Sequence, residues 1–189
     1  MTSPLTGALP STVTVGGREV AIRTSHRVGI AFEELVARHL SDTVKIVKAL
    51  DLYYEQIPDE TAEAIEQMLW FYRLGKDPQD AVGPRVYDFA YDFDSIYASF
   101  RQSYGVNLFT DDLHWWEFRA MLLGLPEGSP FMTAVGYRQM KLPSGLSAEQ
   151  RDFYAKMKRL HALPSDDRRM TVEEVYRAKF GRDLGAPLP

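Results

Sequence analysis

None of the 189 residues is cysteine. Disulfides, thiolate nucleophiles and cysteine zinc sites are therefore excluded outright, and the absence suits a reducing compartment. No apolar run approaches the roughly 20 residues that cross a bilayer as a helix. The opening MTSPLTGALPST also lacks the basic-then-apolar order of a signal peptide. Both glycine spacings that cradle phosphate, GxGxxG and GxxxxGKS/T, are missing, and so is the GxSxG nucleophile elbow. Histidine is scarce, with His26, His39, His114 and His161 scattered at no ligand spacing. These absences leave enzyme activity little to stand on and point to a soluble, cytoplasmic, non-enzymatic protein that needs no cofactor.

What is present suits a globular chain. Apolar residues make up 45% and charged residues 25%, the mix of a soluble domain, and the length suits one domain with a real core. A net charge of −4 gives no general pull toward nucleic acid or acidic membranes. Its distribution is uneven. From Arg138 to Arg182 there are 11 basic residues against 6 acidic, whereas the remainder holds 11 basic against 20 acidic. Two solvated faces of opposite sign explain this, and so does head-to-tail self-association or an oppositely charged partner.

Residues 1–11 read as a disordered tail rich in Pro, Ser, Thr and Gly. Residues 12–22 then give a hairpin signal, in which Gly16-Gly17 supplies the positive φ of a primed turn. Its register sets Val13 opposite Val20 and places Val13, Val15, Val20 and Ile22 on one face. That face must lie on helices, because a lone ribbon is marginal.

The rest reads as about eight helices. Val28, Phe32, Leu35, Val36 and Leu40 make an amphipathic stripe. Ser41 or Asp42 caps a second helix with Val44, Val47, Leu50 and Tyr54 inward. Pro58-Asp59-Glu60 starts a third, in which Ile65, Met68, Leu69 and Tyr72 are buried and Gly75 ends the run. Residues 75–86, with two Pro and two Gly, form an internal loop.

An aromatic-rich stretch, Tyr91–Tyr137, forms the helical hub. Phe93, Tyr97, Phe100 and Tyr104 recur at core spacing, and Gly105 is a left-handed cap. Thr110, with Asp111 and Asp112, starts a nearly all-apolar helix carrying Trp115, Trp116 and Phe118. Ser129-Pro130 starts a short helix. Ser147 and Gln150 form a capping box for a helix burying Phe153, Met157 and Leu160. Thr171 and Glu174 cap a last helix, and residues 182–189 are a loose tail. The expectation is a mainly α, single multi-helix domain over residues 12–181 with an N-terminal β-hairpin.

Chemistry-bearing clusters have bland explanations. His114 and Glu117, one turn beyond Asp111, have metal-ligand spacing on a helix, but di-iron bundles need that motif twice plus two further Glu. Asp92 and Asp94 could form a carboxylate dyad, yet both sit where a helix start favours acids. The basic strip Arg151, Lys156 and Arg159, beside Phe153 and Tyr154, could face nucleic acid or protein. An ordinary solvated face explains it better, and Asp152 dilutes it. Trp70, Trp115, Arg151, Lys156 and Arg159 are the candidate protein-binding residues.

The segments VTVGGREVAIRT followed by HR, then MLWFYRLGK, then YDFDSIYASFRQSYGVNL and DLHWWEFRAMLLGLPEGSPFMTAVGYR carry a likeness. Together, over about residues 12–163, they resemble a family of small tailed-phage and prophage proteins designated only by a gene-product number. The resemblance implies a place in the tail-morphogenesis block and the role of a tail assembly chaperone. Its partner would be the tape-measure protein in the bacterial host cytoplasm, and self-association into a homo-oligomer fits binding in many copies. It carries over no catalytic residue, cofactor or metal. The alternative is a structural component of the tail or head–tail junction.

Overall fold

A computed structural model describes residues 7–76 and 85–164. The described chain is mainly α: strands β1 (Thr12–Val15) and β2 (Arg18–Ala21) precede seven helices. These are α1 (His26–Val36), α2 (Asp42–Tyr53), α3 (Thr61–Tyr72), α4 (Phe93–Tyr104), α5 (Trp115–Leu123), α6 (Pro130–Gln139) and α7 (Ala148–His161). The helix expected from Thr171 and the tail at 182–189 lie outside the described residues. Within this fold the described chain groups into two compact units. The first holds the hairpin, α1–α3 and the start of α5 through Arg119; the second holds residues 85–111 and 120–164.

In the first unit the hairpin has the register its sequence requires, with Val13 opposite Val20. Gly16 and Gly17 take φ of +58° and +71°, the left-handed values of a primed turn. Val13, Val15 and Ile22 are buried, and β1 packs on α3. The turn is also tied down, because the Gly16 amide donates to Glu63 Oε2 at 2.8 Å. Order begins before Thr12, which corrects the expected tail. The Ser11 carbonyl accepts from the Ile22 amide at 3.0 Å, and the Pro10 carbonyl lies 3.0 Å from His114 Nε2.

α1, α2 and α3 close the core of this unit around Phe32, Leu35, Leu50, Tyr53, Tyr54, Ile65, Met68, Leu69 and Phe71. Phe32 meets Tyr53 and Tyr72 edge-on, with centroids 5.6 and 4.9 Å apart, a favoured aromatic geometry. The inward face of α2 differs from the expected one. Lys45, Ala49, Leu50 and Tyr53 are buried, whereas Val44 and Val47 are 39% and 54% exposed. Lys45 turns inward because its ammonium finds the Val36 carbonyl at 2.8 Å. A buried cation is tolerated only with such a partner.

α5 begins later than expected, and residues 110–113 are not helical. Asp111 instead accepts from the Asn107 amide at 2.8 Å. That bond and one from the Thr110 hydroxyl hold its carboxyl below the usual range. The chain entering α5 forms a single antiparallel bridge, Ser25 to His114. His26 N donates to Leu113 O at 2.8 Å and Trp115 N to Thr24 O at 2.6 Å. Ser25 Oγ accepts from the Arg27 amide at the start of α1 and bonds to Asp112.

The two consecutive tryptophans of α5 then close the C-terminal end of α3. Trp116 Nε1 donates to Phe71 O at 2.8 Å and Trp115 Nε1 to Tyr72 O at 2.7 Å. The last carbonyls of a helix lack intrahelical donors, and here two indoles supply them. Trp115 can lie so deep, at 1% exposure, because Gly29 of α1 has no side chain. A Cβ there would stand 2.2 Å from the Trp115 ring.

In the second unit, α6 packs against both α4 and α7. Phe131 N donates to Ser99 Oγ at 3.1 Å, and that hydroxyl donates to Ser95 O at 2.7 Å. The small, fully buried Ser99 thus lets the start of α6 sit on α4. Ser129 accepts from Met132 N as the α6 cap, with Pro130 behind it, and the Ser147–Gln150 capping box starts α7. Gly105, at φ +70°, ends α4 in the left-handed conformation.

The principal clamp of this unit is Arg138 with Asp92, 7% and 4% exposed at their side chains. Two parallel bonds of 2.7 and 2.6 Å join them. Arg138 also donates to Val86 O at 2.9 Å and His161 O at 2.5 Å. One guanidinium therefore joins the approach to α4, the α4 cap and the end of α7.

Candidate functional site

The stripe Phe93, Tyr97, Phe100, Tyr104 has core spacing, but the structure buries a different face of α4, formed by Ile96, Ser99 and Phe100. At 3.6 residues per turn that face is rotated by roughly 80° from the stripe. Phe93 is consequently 60% exposed and Tyr104 38% exposed. Tyr104 still anchors its hydroxyl on Met121 O at 2.9 Å. Beyond the end of α4 the chain turns through Asn107–Asp111 and presents Phe109, 68% exposed. The Phe109 ring lies 4.7 Å from that of Tyr97. Phe93 on α4 and Phe109 beyond its end are therefore exposed, with the half-buried Tyr97 ring against Phe109, and of the stripe only Phe100 completes the core as expected.

Spacing alone does not single out this face. The available signal was crowding: a 12-residue helix with four aromatics at one spacing also carried Ile96 and Ser99 at another, and both sets could not face inward.

The candidate binding residues are dispersed. Trp115 is a core residue with its indole engaged, which corrects its selection as a contact residue. Trp70 is half-buried and lies 5.7 Å from the ring of Trp116. Arg151, Lys156 and Arg159 are exposed on α7, as their strip predicts. The rest of that helix departs from expectation, with no buried residue at all. Phe153 and Leu160 are 53% and 66% exposed. The helix is held to its unit through its polar groups. Lys158 Nζ donates to Met140 O at 2.5 Å, and His161 stacks on Tyr137 at 5.2 Å.

The polar clusters that could have served chemistry are committed elsewhere. Asp92 is occupied by Arg138, while Asp94 accepts from the Ser95 amide at 2.8 Å. His114 uses both ring nitrogens, one toward Pro10 O and the other accepting from Trp116 N at 3.1 Å. Among the described residues no group of three or more His, Asp or Glu could hold a metal ion. No described helix is long and apolar enough to cross a membrane.

The chain belongs to the bacteriophage Gp15 protein family, whose model matches residues 5–163. That membership makes it a phage structural or morphogenesis protein. Neither the curated proteins nor the solved structures contain a match to it.

Proposed function

We propose that this protein is a non-enzymatic tail assembly chaperone that binds the tape-measure protein in the cytoplasm of the bacterial host. The supporting observation is the aromatic face in which Phe93 and Phe109 are exposed and the half-buried Tyr97 lies against Phe109. A tape-measure protein is a long helical chain that must stay soluble until the tail tube polymerises around it. Its amphipathic helices would otherwise present apolar stripes to one another. Amphipathic helices are bound by laying that stripe against an apolar surface. Aromatic side chains suit such a surface, giving large contact area at a small cost in conformational freedom.

Co-expression with a tape-measure fragment that is insoluble alone tests the reading. The fragment should remain in solution and co-purify, and failure of the two to co-purify would sink the proposal. Mass spectrometry of purified particles tests the chaperone role against retention in the tail or head–tail junction. A chaperone is absent from the particle, whereas a component is present at fixed copy number.

A further inference from the structure

We infer that copies of this chain associate head to tail, with the basic α7 of one copy docking on the acidic α2–α3 segment of the next. Two stretches carry the inference. Between Asp42 and Glu66 there are seven acidic residues against two basic, and one of those two, Lys45, is buried. Between Arg138 and His161 there are six basic residues against two acidic, and one of the six, Arg138, is buried in its pair with Asp92. Each stretch also leaves large apolar side chains in water. The acidic one exposes Val44, Val47 and Ile57, and the basic one exposes Leu142, Phe153 and Leu160.

Opposite charge and matched apolar exposure on one chain make the second copy the occupant that both faces fit. Asp51 is exposed on the α2 face of Val44 and Val47, and Glu55, Asp59 and Glu60 are exposed around Ile57 in the chain; Lys156 is exposed on the α7 face of Phe153 and Leu160, with Arg151 and Arg159 exposed elsewhere on that helix. The helices match in length as well, α2 spanning about 18 Å and α7 about 21 Å at 1.5 Å per residue. Because the two patches differ, the contact is heterologous and each copy keeps one face available for another. Desolvated apolar side chains supply the affinity, and the charges supply orientation and salt dependence. This self-association uses neither Phe93 nor Phe109, so it stands independently of the tape-measure proposal.

The experiment is light scattering and sedimentation of the full chain across protein concentration, at low salt and at about 1 M salt, where the Debye length falls to about 3 Å. Mass should rise beyond the monomer with concentration, and association should weaken at least tenfold in high salt. Two surface variants then test the polarity of the contact. Val44→Lys/Val47→Lys blocks the acidic face, and Phe153→Glu/Leu160→Glu blocks the basic one. All four positions are exposed, and circular dichroism verifies that each variant is folded.

Each variant alone should be monomeric. An equimolar mixture should form a one-to-one pair and nothing larger, since each brings one intact face. A wild-type protein that stays monomeric at all concentrations overturns the inference. So does a mixture that remains monomeric, or a wild-type dimer indifferent to these substitutions.

Discussion

Replacing Arg138 by Met tests the packing of the second unit most severely. The substitution keeps the length of the side chain and removes the partner of Asp92, whose carboxylate is 4% exposed. Breaking a buried pair from one side leaves an uncompensated charge and costs about 3–5 kcal/mol. The carbonyls of Val86 and His161 lose a donor as well, each at about 1 kcal/mol. Taking the pair alone, and about 2–4 °C per kcal/mol for a chain of this size, the midpoint should fall by about 6–20 °C. All three tryptophans, Trp70, Trp115 and Trp116, belong to the first unit. Hydrogen exchange resolved to peptides is therefore the better assay, and protection should drop first in α4, α6 and the end of α7. Asp92→Leu added to Arg138→Met should recover part of the loss, because replacing both ions removes the stranded charge. A loss below about 1 kcal/mol, the value of an exposed pair such as Arg27–Asp112, would refute the reasoning.

Three further outcomes follow from the first unit. Gly29→Ala should destabilise by about 1–3 kcal/mol or more through overpacking against Trp115, outweighing the roughly 1 kcal/mol gained in helix propensity. Adding Trp115→Phe should make the pair cost less than the sum of the singles in urea melts. Trp115→Phe alone removes the donor to Tyr72 O and should cost about 2–3 kcal/mol by the same melts; a neutral result would contradict the capping role of the indole. Stability should also fall at alkaline pH. Burial raises the hydroxyl pKa of both Tyr53 and Tyr54, with the Glu33 charge adding to the effect at Tyr53. Unfolded tyrosines ionise near pH 10, so the unfolded state holds fewer protons above that pH and folding loses stability as pH rises toward the folded values. Phenolate absorbance should show Tyr53 and Tyr54 titrating only as the protein unfolds.

Local patterns carried most of the fold in the sequence. The Gly16-Gly17 hairpin register, the Gly105 cap, the Ser129-Pro130 start and the Ser147–Gln150 box are set by residues within a few positions of one another, and each appears as expected. What failed was the choice of inward face. Spacing shows that a stripe exists, but not that a neighbour covers it. Val44 and Val47 lost their place to Lys45, whose ammonium reached a carbonyl nine residues upstream. Phe93 lost its place because Ser99 admitted the start of α6 on another side of α4. The Arg138–Asp92 clamp joins residues 46 apart, a pairing no local pattern announces. Of the candidate site, the basic strip of α7 was legible from charge alone, while the aromatic face required knowing what packs on α4.

On the proposed reading, the exposed Phe93 and Phe109 hold the tape-measure protein. The most direct measurement is the amount of full-length tape-measure protein that co-purifies with wild type and with a Phe93→Ser/Phe109→Ser variant, both co-expressed at equal levels. Both residues are exposed, so the variant should melt close to wild type. Wild type should retain the tape-measure protein and the variant should lose at least about tenfold of it, the effect of removing anchor residues worth about 1.4 kcal/mol or more. Equal retention by a folded variant would contradict it.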